Sequence, residues 1–329
     1  MSSQQNINDC MLDPSYFPHE VEEPVKVIET HISKIYLTGN FAYKVKKPIQ
    51  FGDILDFKSL RRRQFFCEEE VFLNKRLAPT MYLGVVSLAR RNVVDRLMSN
   101  KEWAVKMKQY PQDAIMENML LNNIYPSKGK LSQIAKILFE FHQKAQLHPE
   151  AGKLKAIETK LNENFLTVGH YCEVQEDYRN IILNFISQNK LTFKDRVKQN
   201  RILDGHGDVQ PRNIFILENK KPIIFDCIEF NPNLRYVDVA EEIAFLAMEL
   251  DKHGLDGRSD YFIHQYLEFS KDDGIETLLS FYKSYRAYVR AKVAIFGAHQ
   301  VQDITLKDTL QKEAQEYFDL AYSYFDECG

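Results

Sequence analysis

Short runs rich in apolar and β-branched or aromatic residues stand at 25–28, 34–37 and 41–46, and the third alternates with period two, which puts successive side chains on opposite faces of an extended chain, so three short strands are expected. Thr38-Gly39-Asn40 joins the second to the third, with Gly and Asn tolerating positive φ, and Pro48 ends the ladder. From 59 to 77 the period becomes helical. Phe66, Leu73 and Leu77 share a face, Ser59 is the expected N-cap, and Pro79 lies just beyond the end. Strands are expected again at 83–88, 93–94 and 103–107.

After Pro111 helical patterning takes over, at 131–147, at 156–189 and from 237 onward. A β-rich island at 201–230 interrupts it. A strand-rich first third joined to a helix-rich remainder predicts an α+β chain with two lobes. The expected divisions are a flexible N-terminal segment at 1–14, a β-rich N-lobe at 15–108 and a helical C-lobe at 109–329.

The 329 residues are 44% hydrophobic and 27% charged, with a net charge of −3. That is a globular balance, without the basic excess that nucleic-acid binding requires. No apolar run reaches the roughly 18–20 residues needed to span a bilayer, so no membrane partner is expected. Cys10, Cys67, Cys172, Cys227 and Cys328 are scattered and form no Cys-x-x-Cys pair, which argues against a disulfide framework or a structural zinc. A reducing cytoplasm is the expected compartment. The oligomeric state is not legible.

The chemistry-bearing segment is His206-Gly207-Asp208-Val209-Gln210-Pro211-Arg212-Asn213, followed by Asp226 at the end of the apolar run 222–225. Phosphoryl transfer needs a group to orient and deprotonate the attacking hydroxyl, oxygen ligands for magnesium, and a cation on the nucleotide phosphates. Asp208 and Asn213 stand at the spacing of the kinase catalytic loop, with Asp208 as base, and Asn213 and Asp226 as metal ligands. Lys44 follows Ala42 as the lysine of V-A-I-K follows its alanine. Lys46 shares its face.

The eight-residue box resembles the HGDxxxxN box of aminoglycoside phosphotransferases and related small-molecule kinases in the protein-kinase-like superfamily. Thr30-His31-Ile32-Ser33, Ala42-Tyr43-Lys44-Val45-Lys46-Lys47-Pro48, Phe66-Cys67-Glu68-Glu69-Glu70 and Phe225-Asp226-Cys227-Ile228-Glu229-Phe230-Asn231 resemble an uncharacterised bacterial branch of it. The resemblance spans roughly residues 20–300. Members of that branch are often fused to a P-loop kinase domain. This sequence carries no G-x-x-x-x-G-K-[ST], so the stand-alone form is expected.

The resemblance implies a two-lobed kinase-like fold, ATP and Mg2+ as cofactors, and Lys44 on the nucleotide phosphates. It implies a glutamate partner for Lys44 from the 59–77 helix: Glu69 by its phase, with Glu68 and Glu70 as rivals. Ser33 either donates to a phosphate through its hydroxyl or backbone N–H, or is a solvated turn residue. A hinge is expected at 106–109, with Val105 or Met107 packing on adenine. Related sequences often carry Asp at the position of Glu242. His206 is expected to brace the loop, Asp238 to cap the next helix, with holding the loop as a second role open to it, and His142 to be a satisfied core residue. Arg286 and Arg290, one turn apart, would bind an anionic substrate if they border the cleft, or else pair with carboxylates of neighbouring helices.

The function expected is transfer of the γ-phosphate of ATP to a hydroxyl of a small molecule. The segment after Asp226 is too short for a peptide-supporting activation loop, and Gly207 replaces the arginine that pairs with a phosphorylated one. An atypical protein kinase, a nucleotidyl transferase and a non-catalytic nucleotide-binding regulator stay open as alternatives.

Overall fold

A computed structural model describes residues 3–52, 54–89, 101–172 and 176–326. The strand expected at 93–94 lies outside them. The chain divides into two compact units. The first comprises Met1–Met119, Asn213–Leu217 and Ile223–Pro232, and the second comprises the rest. The first unit thus runs past the expected boundary at 108 and takes in two pieces of the β-rich island.

The first unit opens with α1 (Ser3–Leu12), then β1 (Lys26–Glu29), β2 (Ser33–Leu37) and β3 (Phe41–Lys46). A two-strand ribbon, β4 (Gln50–Phe51) and β5 (Leu55–Asp56), leads to α2 (Leu60–Asn74), β6 (Tyr82–Ala89) and β7 (Lys101–Lys108). A five-stranded antiparallel sheet of order β1-β2-β3-β7-β6 results. β2 and β3 supply buried side chains to the core, whereas all four residues of β1 are exposed and its pairing with β2 holds it as an edge strand. Tyr36, Tyr43 and Val45 lie on one side, with Leu37, Ala42 and Val105 on the other.

Residues 1–14, expected to be loose, include α1. Ile7 and Met11, one turn apart, are buried with Val25, Tyr36 and Tyr43, and the Tyr36 hydroxyl donates to Asn8 (2.6 Å). Two apolar residues in a polar stretch are a weak pattern, but that is enough to anchor a ten-residue helix against a sheet.

Ser59 caps α2 as expected, its hydroxyl accepting from Arg62 N–H (3.2 Å). The face α2 buries is not the expected apolar one: Arg63, Cys67, Glu70, Val71, Leu73 and Asn74 are buried. Arg63 donates to both oxygens of Glu102 on β7 and to the carbonyls of Phe57 and Lys58, so its charge is satisfied inside.

The second unit contains α4 (Lys128–His142), α5 (Leu154–Gly169), α6 (Glu176–Gln188) and α7 (Lys190–Lys198), preceded by α3 (Met116–Leu121) at the division between units. The island contributes β8 (Ile202–Asp204), which pairs with β11 (Tyr236–Asp238) in the second unit. Its other strands, β9 (Ile214–Phe215) and β10 (Ile223–Ile224), pair with each other in the first unit. Four helices complete the chain: α8 (Val239–Lys252), α9 (Asp256–Ser270), α10 (Gly274–Gln300) and α11 (Ile304–Asp326). Apart from its last two residues α8 is wholly buried; α9 and α10 pack against it, and α4 packs against α9. Asp238 caps α8 by accepting from Ala240 N–H (2.8 Å). No helix among the described residues is long and apolar enough to cross a membrane.

Candidate active site

In the first unit, β3 delivers two lysines to one face. Lys44 Nζ lies 2.5 Å from Asp226 Oδ1 and 3.0 Å from Glu70 Oε1. Lys46 Nζ donates to Glu70 Oε2 (2.6 Å) and to Glu229 Oε1. Glu70 therefore offers one oxygen to each lysine. Lys46 and Glu70 are fully buried, and Lys44 and Glu229 are 5% exposed.

Burial alone would push both lysine pKa values down. The carboxylates of Asp226, Glu70 and Glu229 outweigh it at Lys44, and those of Glu229 and Glu70 at Lys46, so both stay above the ordinary lysine value. Burial raises the Glu229 pKa, against the pull of Lys46, and repulsion from Glu70 adds to it. The buried members are two ammonium groups and two carboxyl groups, and the third carboxyl, on Asp226, is part-exposed.

The partner of Lys44 is thus Glu70, which corrects Glu69. Glu69 is half-exposed, one residue off the buried face. The expected phase came from apolar residues, but the buried face of α2 is mostly polar. Glu229 and the use of Lys46 were missed. Both stand in the segments that carry the resemblance, but nothing local marks them, because their partners lie far along the chain.

Asp226 follows β10 in the left-handed region, at φ 65°. Its N–H donates to the Tyr82 hydroxyl (3.2 Å), and Cys227 N–H donates to Asn74 Oδ1 (2.8 Å). Ile224 pairs with Ile214, and Phe225 N–H donates to Asn213 O (3.0 Å), which brings Asn213 and Asp226 to the same end of the ribbon. An amide and a carboxylate are hard oxygen donors of the kind magnesium takes. The Oδ2 of Asp226 makes no hydrogen bond or ion pair among the described residues, and its side chain is 39% exposed. No group of three or more His, Cys, Asp or Glu suited to a metal occurs among the described residues. The residues present fit Mg2+.

Ser33 is buried rather than solvated. Its N–H donates to Thr30 Oγ1 (2.9 Å), so only its hydroxyl, buried without a partner among the described residues, could serve a ligand. Val105 and Met107 belong to the hydrophobic core beside Leu37, Ala42 and Phe215. At the expected hinge, Lys108 N–H donates to Met81 O (2.8 Å) and Gln109 N–H to Asn40 O (3.0 Å). Those two donors are engaged within the unit.

The second unit holds the loop that carries Asp208. Glu242, fully buried on α8, accepts from His206 N–H (2.6 Å) and Gly207 N–H (2.7 Å) through Oε1. Through Oε2 it accepts from His142 Nε2 (2.6 Å), whose Nδ1 lies 2.6 Å from the Tyr266 hydroxyl. Burial opposes ionisation of Glu242, but the His142 hydrogen bond, the charges of His142 and His206 and the Gly207 N–H outweigh it and hold the carboxyl at about 2. His142 is the satisfied core residue expected of it. Glu242 holds the loop. Asp238 does not: it caps α8 and pairs with buried Arg196 (2.6 Å), which also pairs with Asp272 (2.5 Å).

The loop turns at Gly207, φ 83°, where a Cβ would stand 2.7 Å from the Leu234 carbonyl. At Gly205 a Cβ would meet Glu242 at 2.6 Å. Glycine at both positions lets the backbone reach the carboxylate. Asp208 N–H donates to His206 Nδ1 (3.2 Å), so His206 braces the turn, and Gln210 Nε2 donates to Asp208 Oδ1 (2.7 Å).

Arg286 and Arg290 do not form an anion clamp. Arg286 pairs with Glu241 (2.8 Å) and donates to Gly207 O (3.1 Å), and Arg290 pairs with Glu249 (3.0 Å) and Glu313 (3.3 Å). Carboxylates on α8 and α11 spend both charges.

No protein-family model matches the chain. Over 303 residues it is 33% identical to the uncharacterized proteins Mb2027c of Mycobacterium bovis (strain ATCC BAA-935 / AF2122/97) and Rv2004c of Mycobacterium tuberculosis (strain ATCC 25618 / H37Rv). The match covers 89% of this chain and 58% of each relative, so the chain spans little more than half their length. Among solved structures, a choline/ethanolamine kinase family protein from Mesorhizobium loti superposes with a TM-score of 0.53 at 9% identity, over 98% of this chain and 99% of that one. An ethanolamine kinase from Plasmodium vivax gives 0.49 at 12% identity, over 92% of this chain and 82% of that one. The chain has an α+β fold of the kind seen in that choline/ethanolamine kinase family protein, a strand-rich unit and a helical one, as the sequence led us to expect.

Proposed function

We propose that this chain is an ATP- and magnesium-dependent phosphotransferase that moves a γ-phosphate to a hydroxyl of a small molecule in the cytoplasm. The observation that carries the reading is Lys44, a nearly buried ammonium held between Glu70 and Asp226. A lysine so held is kept charged and aimed, as the nucleotide phosphates require. Asp226 and Asn213 would hold magnesium, which supplies charge neutralisation on the phosphates when bound. Asp208 would orient the acceptor hydroxyl and take its proton.

Magnesium-dependent ATP turnover by wild type and Asp208→Ala, with a panel of hydroxylated metabolites and a peptide library as acceptors, tests this. Turnover that needs a small-molecule acceptor and Asp208 is expected. Equal rates in both proteins would defeat the assignment of Asp208, and phosphate transfer to peptides alone would defeat the substrate class.

A further inference from the structure

The loop that presents Asp226 is held by buried polar groups from three elements of the β-rich unit. Asp226 N–H donates to the hydroxyl of Tyr82 on β6 (3.2 Å), and the next N–H, of Cys227, donates to Oδ1 of Asn74 on α2 (2.8 Å). Two residues further on, the Glu229 carboxylate meets Lys46 of β3 and anchors the far end of the loop. Tyr82 and Asn74 are buried, whereas the Asp226 side chain is part-exposed. The Asn74 amide is itself oriented. Its Nδ2 donates to the carbonyl of Glu70, one turn earlier (2.9 Å), which leaves Oδ1 to face the loop. One face of α2 therefore carries both the carboxylate that pairs with Lys44 and the acceptor that holds Cys227.

Holding a loop in place does not by itself require a hydroxyl and an amide inside the fold. Apolar side chains would do it at no polar cost, whereas buried polar groups must find partners. What two consecutive acceptors add is direction. The N–H of 226 belongs to the peptide plane before its Cα, and that of 227 to the plane after it. Holding both planes holds the φ and ψ of Asp226, and with them the direction of its Cα–Cβ bond. That matters here because Asp226 sits at φ 65°, where an L-residue stays only if its surroundings keep it there. The carboxylate is thereby aimed with Oδ1 on Lys44, while Oδ2 makes no hydrogen bond or ion pair among the described residues.

We propose that Tyr82 and Asn74 are positioning residues for metal binding, holding the backbone on either side of Asp226 so that its carboxylate is already aimed when magnesium arrives, a role that rests on the phosphotransferase reading. Neither residue touches the ion. Each acts as the outer partners of a metal ligand do, through a hydrogen bond that orients the ligand. Because Asn74 shares its helix face with Glu70, α2 sets the metal loop and Lys44 together.

Magnesium titrated by calorimetry into the full chain saturated with ADP tests this, in wild type and in Tyr82→Phe and Asn74→Ala. Each variant should bind magnesium about tenfold more weakly or worse, the usual effect of removing a group that orients a ligand. ADP affinity measured without metal should be unchanged. Exchange of the Asp226 and Cys227 amide hydrogens, followed by NMR, should be about tenfold faster or more at the amide that each variant frees. Tyr36→Phe is the control. It removes another buried hydroxyl of the same unit, the one that donates to Asn8, and should change neither readout. Thermal unfolding of every variant separates folding from positioning. Variants that lose stability yet keep wild-type magnesium affinity overturn the proposal and leave Tyr82 and Asn74 as structural groups. Equal magnesium binding in wild type and both variants overturns the positioning role while the phosphotransferase reading stands. A wild type that binds no magnesium with ADP overturns that reading itself, and the positioning role with it.

Discussion

In the β-rich unit, Lys44 and Lys46 meet the carboxylates of Glu70, Asp226 and Glu229. In the helical unit, Glu242 meets the backbone N–H groups of His206 and Gly207. The first arrangement neutralises charge with charge, so removing one member strands another in a low-dielectric interior. The second uses a carboxylate as a template for a loop, so removing it loosens geometry while leaving little charge unpaired. Sensitivity to substitution should therefore appear as lost stability in one unit and as lost catalytic precision in the other.

The largest effect is expected at Asp208, on the loop that Glu242 holds. Asp208→Ala should lower ATP turnover about 10²–10⁴-fold with the unfolding midpoint little changed, as measured by coupled assay and thermal denaturation. Next is Lys46→Met, which leaves buried Glu229 without its cation. A loss of about 3–5 kcal/mol in denaturant unfolding is expected, partly recovered in the double variant Lys46→Met/Glu229→Leu. If the double variant is no better than the single one, the charge-for-charge description of the β-rich unit is wrong.

A smaller effect is expected at Glu242. Glu242→Gln should cost about 1–3 kcal/mol and lower kcat more than it raises KM for ATP. Its pH signature has a definite sign. The carboxyl is held at about 2 against an ordinary 4.5, so its contribution is full above 4.5 and is lost as pH falls towards 2. The stability gap between wild type and Glu242→Gln should be flat above that range and close within it. A gap that widened on acidification would contradict the template role. The smallest effect sharpens the assignment on α2. Glu69→Ala should stay within about 0.5 kcal/mol of wild type and keep full turnover, whereas Glu70→Ala should lose turnover.

The sheet was legible because β1, β2 and β3 fall on short strand-forming runs punctuated by turn residues, the third alternating with period two. It made Lys44, Asp208, Asn213 and Asp226 candidates because their spacing belongs to one chemistry. The choice of Glu70 was hidden, since the buried face of α2 is built from Arg63, Glu70 and Asn74 as much as from apolar residues. Hydrophobic periodicity locates a face only where burial follows hydrophobicity. On α2 burial follows pairing, with Glu102 for Arg63 and Lys44 and Lys46 for Glu70. The same blindness hid the partners of Arg286 and Arg290, which sit on α8 and α11. α1 was missed for the opposite reason, because two apolar side chains, Ile7 and Met11, carry its burial.

Asp226 holds φ 65°, where a glycine would rest more easily. A chain optimised for folding alone would place glycine there. The carboxylate instead sits in a conformation that works against the native state by about 1 kcal/mol, braced by Tyr82 and Lys44. Replacing Asp226 by Gly would relieve that angle but take a carboxylate from buried Lys44, so turnover should be lost with no net gain in heat stability, and the carboxylate at that backbone angle serves chemistry and charge balance together.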